Sequence, residues 1–127
     1  MSEKKINIAE VAEVVTEAEI RAVGAIRSLF KQGVFENVVS LFAEGKGKVL
    51  VTGSGTSGAV AHRAAHLLSV GGTPSFYLSP GDGLHGGLGA LTSDDIILAF
   101  SKGGSSEELN DFCRRGRTLC NNLVVVT

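Results

Sequence analysis

A chain of 127 residues is one domain's worth, long enough to bury a single core. Its 13 acidic and 12 basic side chains nearly cancel, and its few aromatic residues are not interleaved with basic ones. Both features argue against nucleic acid or an anionic membrane as a partner. The first residues are acidic throughout without a continuous apolar core, so they read as neither a signal nor a transit peptide, and a soluble, cytoplasmic protein is expected.

Apolar residues at Ile8, Val11, Val15, Ala18, Ala22, Ala25, Ile26 and Leu29 recur at helical spacing and predict a long amphipathic helix, broken by Gly33. Phe35, Val38, Val39 and Phe42 repeat the pattern in a shorter helix ended by Gly45 and Gly47. Residues 1–45 are therefore expected to be a helical arm whose apolar stripe packs on a sheet or on a partner subunit. Residues 46–127 are expected to form the core.

From Lys48 the period changes. KVLVT (48–52), SFYL (75–78), IILAF (96–100) and LVVVT (123–127) are short, nearly continuous apolar runs, the pattern of strands buried on both faces. A helix is expected from Ser57 to about Val70, with Ala61, Ala65 and Leu68 inward. Another is expected from about Ser106 to Leu119, with Leu109, Phe112 and Cys113 inward. The connection over 79–95 is glycine-rich and reads as more loop than helix. Alternating strands and helices give right-handed crossovers and a parallel sheet with helices on its faces, an α/β fold. Cys113 and Cys120 lack metal-type clustering and read as reduced, packed thiols. Thr127 falls at the C-terminal end of a strand, where open α/β sheets bind ligands. The expectation is a fragment; the alternative is a sheet face covered by a second subunit.

Two loops carry the chemistry. In VTGSGTSG, Gly53, Gly55 and Gly58 spell G-x-G-x-x-G directly after a strand, the spacing of a dinucleotide loop. Such a site also wants an acid closing the second strand, and Asp82 lies only beyond Pro80. No cofactor is expected. After the third strand, SKGGSSEE again runs from a strand through glycines and hydroxyls into a helix. On neighbouring strands the two loops would converge at one sheet edge, where helix N-termini and hydroxyls bind an anion. Hydrogen bonds to a charged group contribute roughly 1.5–3 kcal/mol each, so three or four would hold a phosphomonoester. The competing reading is two tight turns with N-caps.

Together VTGSGTSG, GGTPSFYLSP, LHGGLGALTSDDIILAFSKGGSSEEL and LVVVT resemble the sugar isomerase (SIS) domain, and within it the arabinose-5-phosphate isomerases, from about Gly47 onward. The resemblance implies a three-layer αβα sandwich, flavodoxin-like or Rossmann-like, that binds a phosphorylated sugar through both loops. It makes Ser54, Thr56 and Ser57 in the first loop, and Ser101 and Ser106 in the second, the sugar-phosphate ligands; Gly55 and Ser105 of the same loops are further substrate-binding candidates, as is Lys102, which adds charge to the anion site or is simply solvated. It matches His85, in LHGGLG, to the histidine of the isomerases' H-G-D-L-G. It also implies a homodimer or homotetramer. Three positions depart from the isomerase pattern: Thr56 stands where lysine is usual, and Gly103 and Ser105 replace serine and glutamate in S-x-S-G-E-[ST]. Further acid and base residues of those isomerases lie beyond Thr127. Phosphosugar binding survives these changes better than catalysis does.

Aldose–ketose interconversion needs a base between adjacent carbons and an acid for the oxygens, and histidine serves either role near neutrality. His85 is the catalytic candidate, with an exposed loop histidine as the alternative. Glu107 and Glu108 suit a helix N-terminus. His62 and His66 have metal-ligand spacing but lack a third ligand, so no metal is expected. Two functions stay open: an isomerase of a phosphorylated sugar working through an enediol, or a phosphosugar-sensing module without turnover.

Overall fold

The computed structural model describes residues 7–31 and 33–127. They divide into two compact units at Val39 and Ser40. In the first, α1 (Ile8–Ala25) starts at Asn7, whose side chain accepts from the Ala9 and Glu10 amides. It runs into a 3₁₀ turn, Ile26–Lys31. Gly33, at φ +70°, then opens α2 (Val34–Glu44), which crosses the division. Phe30 and Phe35 meet edge to face at 5.0 Å across this turn. Helix α1 buries no residue within its own unit.

In the second unit, β1 (Val49–Gly53), β2 (Ser75–Tyr77), β3 (Ile96–Phe100) and β4 (Asn122–Val126) form one parallel sheet in the order β2-β1-β3-β4. The nearly continuous apolar runs predict this arrangement, because a strand buried on both faces has no polar side to offer water. Helix α3 (Gly55–Val70) covers one face, where Ala61 and Ala65 meet Val49, Val51, Ile96 and Leu98. Leu41 and Phe42 of α2 pack against the same cluster. On the other face Leu50 and Ile97 meet Phe112 of α5 (Glu107–Gly116), together with Leu88, Leu91 and Cys120. The result is a three-layer αβα sandwich.

Two details differ from the periodicity. The glycine-rich connection holds a short helix, α4 (Pro80–Leu84), and a 3₁₀ turn, Gly87–Ala90. Ser79 caps α4 by accepting from the Asp82 amide, and its hydroxyl donates to the Asp82 carboxylate at 2.6 Å. Proline at the first helical position completes the start signal. Helix α5 ends at Gly116 instead of running to Leu119, and the chain continues in tight turns in which the Thr118 and Leu119 amides donate to the Arg115 and Gly116 carbonyls; Gly116 itself lies against Ile97 Cδ1, where no side chain would fit. Cys120 therefore sits beyond the helix that carries Cys113; both thiols are free, and burial raises the pKa of each.

At the N-terminal end of the sheet, Asp95 is buried with its carboxylate fully engaged. It accepts from the Lys48 amide at 2.9 Å, the Lys48 ammonium at 2.6 Å and the Thr92 amide at 2.7 Å. Burial pushes its pKa up, but the bonds from Lys48 and Thr92 outweigh that and hold it below the ordinary 3.8. A carboxylate with a lowered folded pKa adds stability above the unfolded value and loses it as pH falls through the folded one. Asp95→Asn should cost about 3 kcal/mol, towards the low end for a broken buried pair because Lys48 can return to water. Urea titrations from neutral pH to about pH 3 should show the wild type losing this component on acidification and the variant lacking it.

Candidate functional site

Strands β1 and β3 are adjacent and parallel, and they end level, Gly53 opposite Phe100. The helices that follow leave on opposite faces, α3 on one and α5 on the other. A crevice therefore opens between the two loops at the C-terminal edge, where the strand order reverses direction.

The first loop folds tightly. A Cβ on Gly53 would stand 2.8 Å from the Ser57 carbonyl oxygen, and a Cβ on Gly58 would stand 2.8 Å from the Gly53 oxygen. Gly55 adopts φ +56°. The spacing thus reflects how closely the first turn of α3 approaches β1, and needs no dinucleotide to explain it. The second loop is stapled from within. Ser101 Oγ accepts from the Gly104 amide at 3.0 Å, and Gly104 takes φ +66°. Asn110 Nδ2, one turn into α5, donates to the Gly104 carbonyl at 3.0 Å.

Ser54, Ser57, Phe100, Ser101, Lys102, Gly103, Ser105, Ser106 and Leu109 line one pocket of about 180 Å³. Complete small-molecule sites measure roughly 300–1,000 Å³, so this volume suits the head of a ligand, with the rest outside. The hydroxyls are in different states. Ser106 caps α5, accepting from the Leu109 amide at 3.4 Å, and Ser101 accepts from Gly104. An accepting hydroxyl keeps its own proton free to donate. Ser54 occupies the N-cap of α3 but makes no capping bond, and its buried Oγ has no partner. Capping therefore accounts for Ser106 and not for Ser54. Thr52 Oγ1, two residues earlier, is likewise buried without a partner. Such a hydroxyl costs about 1–3 kcal/mol.

Not every expected residue is brought here. Thr56 lines a separate apolar groove along α3 with Val60, Arg63 and Leu67. Gly55 shapes the turn without lining the pocket. His85 is exposed at the C-cap of α4 and is not among the pocket's lining residues. Glu107 and Glu108 are exposed in the first turn of α5, and Glu108 reaches towards Gly81. His62 stacks on Tyr77, ring centroids 3.6 Å apart, and His66 is exposed. Among the described residues no group of three His, Cys, Asp or Glu side chains is arranged to hold a metal. Likewise, no described helix is long and apolar enough to cross a membrane. Two residues read only as strand and helix prove relevant to loop geometry: Tyr77, whose hydroxyl donates to the Gly53 carbonyl at 3.1 Å, and Asn110. An asparagine one turn after a Ser N-cap is a signal that could have marked the second.

The profile of the SIS domain matches residues 41–127, which span the whole sheet and both loops. The chain belongs to the SIS domain family. Among relatives, the arabinose 5-phosphate isomerase KdsD of Pseudomonas aeruginosa is 43% identical over 75 residues, 59% of this chain and 23% of that protein. This SIS chain thus spans under a quarter of the relative's length along the match. A Listeria monocytogenes protein described as a candidate sugar-phosphate isomerase superposes with a TM-score of 0.79 at 29% identity, covering 96% of this chain and 65% of that one. An Escherichia coli CFT073 protein solved in complex with arabinose 5-phosphate shares the fold, with a TM-score of 0.74 at 24% identity over 94% of this chain and 65% of that one.

The hydroxyl states separate two substitutions by sign. Ser106→Ala should cost about 1 kcal/mol through the lost cap. Ser54→Ala removes an unpartnered buried group and should leave stability unchanged or raised. Chemical denaturation of both reads the difference, and a comparable loss in Ser54→Ala would mean that its hydroxyl has a partner.

Proposed function

We propose that the two loops bind the phosphate of a phosphorylated sugar, and that the chain serves aldose–ketose isomerisation of that sugar. The observation that carries this reading is the unpartnered Ser54 hydroxyl, buried in a pocket shared with Ser57, Ser101, Lys102, Ser105 and Ser106. A polar group withdrawn from water without a bond is costly, and an anion bound there would supply the missing acceptor. The N-termini of α3 and α5 add unpaired amides and partial positive charge from both sides of the crevice. Lys102 contributes a full charge. Gly55 lets the first loop turn, and residues 46–127 act as the phosphosugar-binding core, preceded by an arm, 1–45, of which residues 1–6 and 32 lie outside the described residues. The named relative supports arabinose 5-phosphate as the first substrate to try. His85 is assigned proton transfer through its motif, acting on sugar carbons that extend beyond the pocket. Self-association into a homodimer or homotetramer is supported by the apolar stripe of α1, which buries nothing within its own unit.

One observation favours a second reading, a phosphosugar-sensing module without turnover. Lys102 is the single ordinary titratable side chain lining the pocket, while His85 stands outside it and Ser105 replaces a carboxylate. Incubating the chain with arabinose 5-phosphate and following it by NMR distinguishes the readings. Appearance of the ketose supports the isomerase, binding without conversion supports the sensor, and absence of binding overturns both. Ser57→Ala should raise the Kd roughly 10–100-fold, the worth of one hydrogen bond to a charged group. His85→Ala should spare binding and abolish conversion.

A further inference from the structure

We infer that Tyr77 is a positioning residue for the first phosphate loop, supplying a donor that the sheet itself cannot provide. The inference rests on the phosphosugar reading above and adds a residue to the same site. Val49 pairs with Ser75 and Val51 with Tyr77, and the Leu78 amide donates to the Val51 carbonyl at 3.0 Å. In a parallel ladder the same pattern repeats two residues on, so the Gly53 carbonyl should accept from the amide of residue 80. Residue 80 is proline and has no N–H. Beyond that point the chain has entered α4 and the ladder is over. The last carbonyl of β1 on that side would be left without a partner, next to a site for an anion that repels it.

The Tyr77 phenol fills that gap by donating to Gly53 O at 3.1 Å. A side chain two residues from the end of the ladder thus replaces a backbone donor. Its surroundings hold it there. The ring stacks on His62 of α3 at an interplanar angle of 27°. Gly58, one turn before His62, leaves the passage open: a Cβ there would stand 3.1 Å from Tyr77 Oη. Burial, then the carboxylates of Asp82 and Glu108, raise the phenol's pKa above 10.0, so it stays protonated and able to donate at neutral pH.

What the bond controls is the start of the loop. The Gly53 carbonyl and the Ser54 amide belong to one planar trans peptide and point in opposite directions. Holding the carbonyl towards β2 turns the Ser54 amide towards β3 and fixes the point from which the Ser54 and Ser57 side chains enter the pocket. Without the hydroxyl that peptide keeps its place beside β3 but loses its bond on the β2 side, and the common aim of the two serines loosens.

The test is Tyr77→Phe, which keeps the ring and its stack on His62 and removes one oxygen. Calorimetric titration of the 127-residue chain with arabinose 5-phosphate and, separately, inorganic phosphate, at a temperature well below the unfolding of both variants, should show both affinities falling by a similar factor, roughly three- to tenfold. Equal loss for both ligands marks an effect on the phosphate end, which a general loosening of the fold would not single out. In the wild type, phosphate should perturb the NMR signals of the Ser54 and Gly55 amides and of the Tyr77 ring together. If the wild type binds and Tyr77→Phe binds equally well, or the amides shift while the ring does not, the positioning role is wrong and the phosphosugar site stands. If the wild type binds neither ligand, the site itself is wrong and this inference falls with it.

Discussion

The alignment of β1 with β3 is the constraint on which the candidate site depends, and it is pinned at the far end of the sheet. Asp95 precedes β3 and Lys48 precedes β1; the Asp95 carboxylate takes both the amide and the ammonium of Lys48, while the Ile96 amide donates to the Lys48 carbonyl at 3.0 Å. These bonds tie the first residues of the two strands together. Both strands then run for five residues and finish opposite each other. The loops meet because the strands start level and are equally long. A buried ion pair of this kind is weak evidence for net stability, since its desolvation offsets much of its attraction. Its contribution here is geometric: it disfavours any pairing other than the one in which the hydroxyl loops face each other.

Polar groups at the two ends of the sheet are treated differently. At the N-terminal end every acceptor on Asp95 is used. At the C-terminal end the hydroxyl oxygens of Thr52 and Ser54 are buried without a hydrogen-bond partner. Native interiors rarely leave hydroxyls in that state, and Ser54 lines the crevice, where a bound anion would restore the balance for it. Locally inconsistent chemistry of this sort is expected at functional positions and seldom elsewhere.

Much of this was legible in the residues alone. Four apolar runs, two helices between them and two Gly/Ser loops on alternate strands suffice for a parallel αβα sheet with both loops at one edge, because strand–helix alternation leaves few topologies. The limits are equally physical. Helix α4 hid in a glycine-rich stretch, although Ser79, Pro80 and Asp82 carry the cap, the first-position proline and the N3 acid of a helix start. Thr56 reads like Ser57 in sequence, yet successive helical positions face different directions, and only Ser57 turns into the crevice. The role of Tyr77 needs the register of β2 against β1, because only then does Pro80 fall opposite Gly53. Register is a tertiary property and cannot be read from either segment by itself.

Matched strand ends also determine which kinds of sequence drift such a site can absorb. Inserting or deleting one residue within β1 or β3 would offset the loops by about 3.3 Å, a whole hydrogen-bond length. Exchanging side chains inside a loop leaves its backbone where it was. A lineage can therefore rewrite the letters of these turns, as Thr56, Gly103 and Ser105 differ from the pattern of the isomerases, while the lengths of the strands beneath them stay frozen.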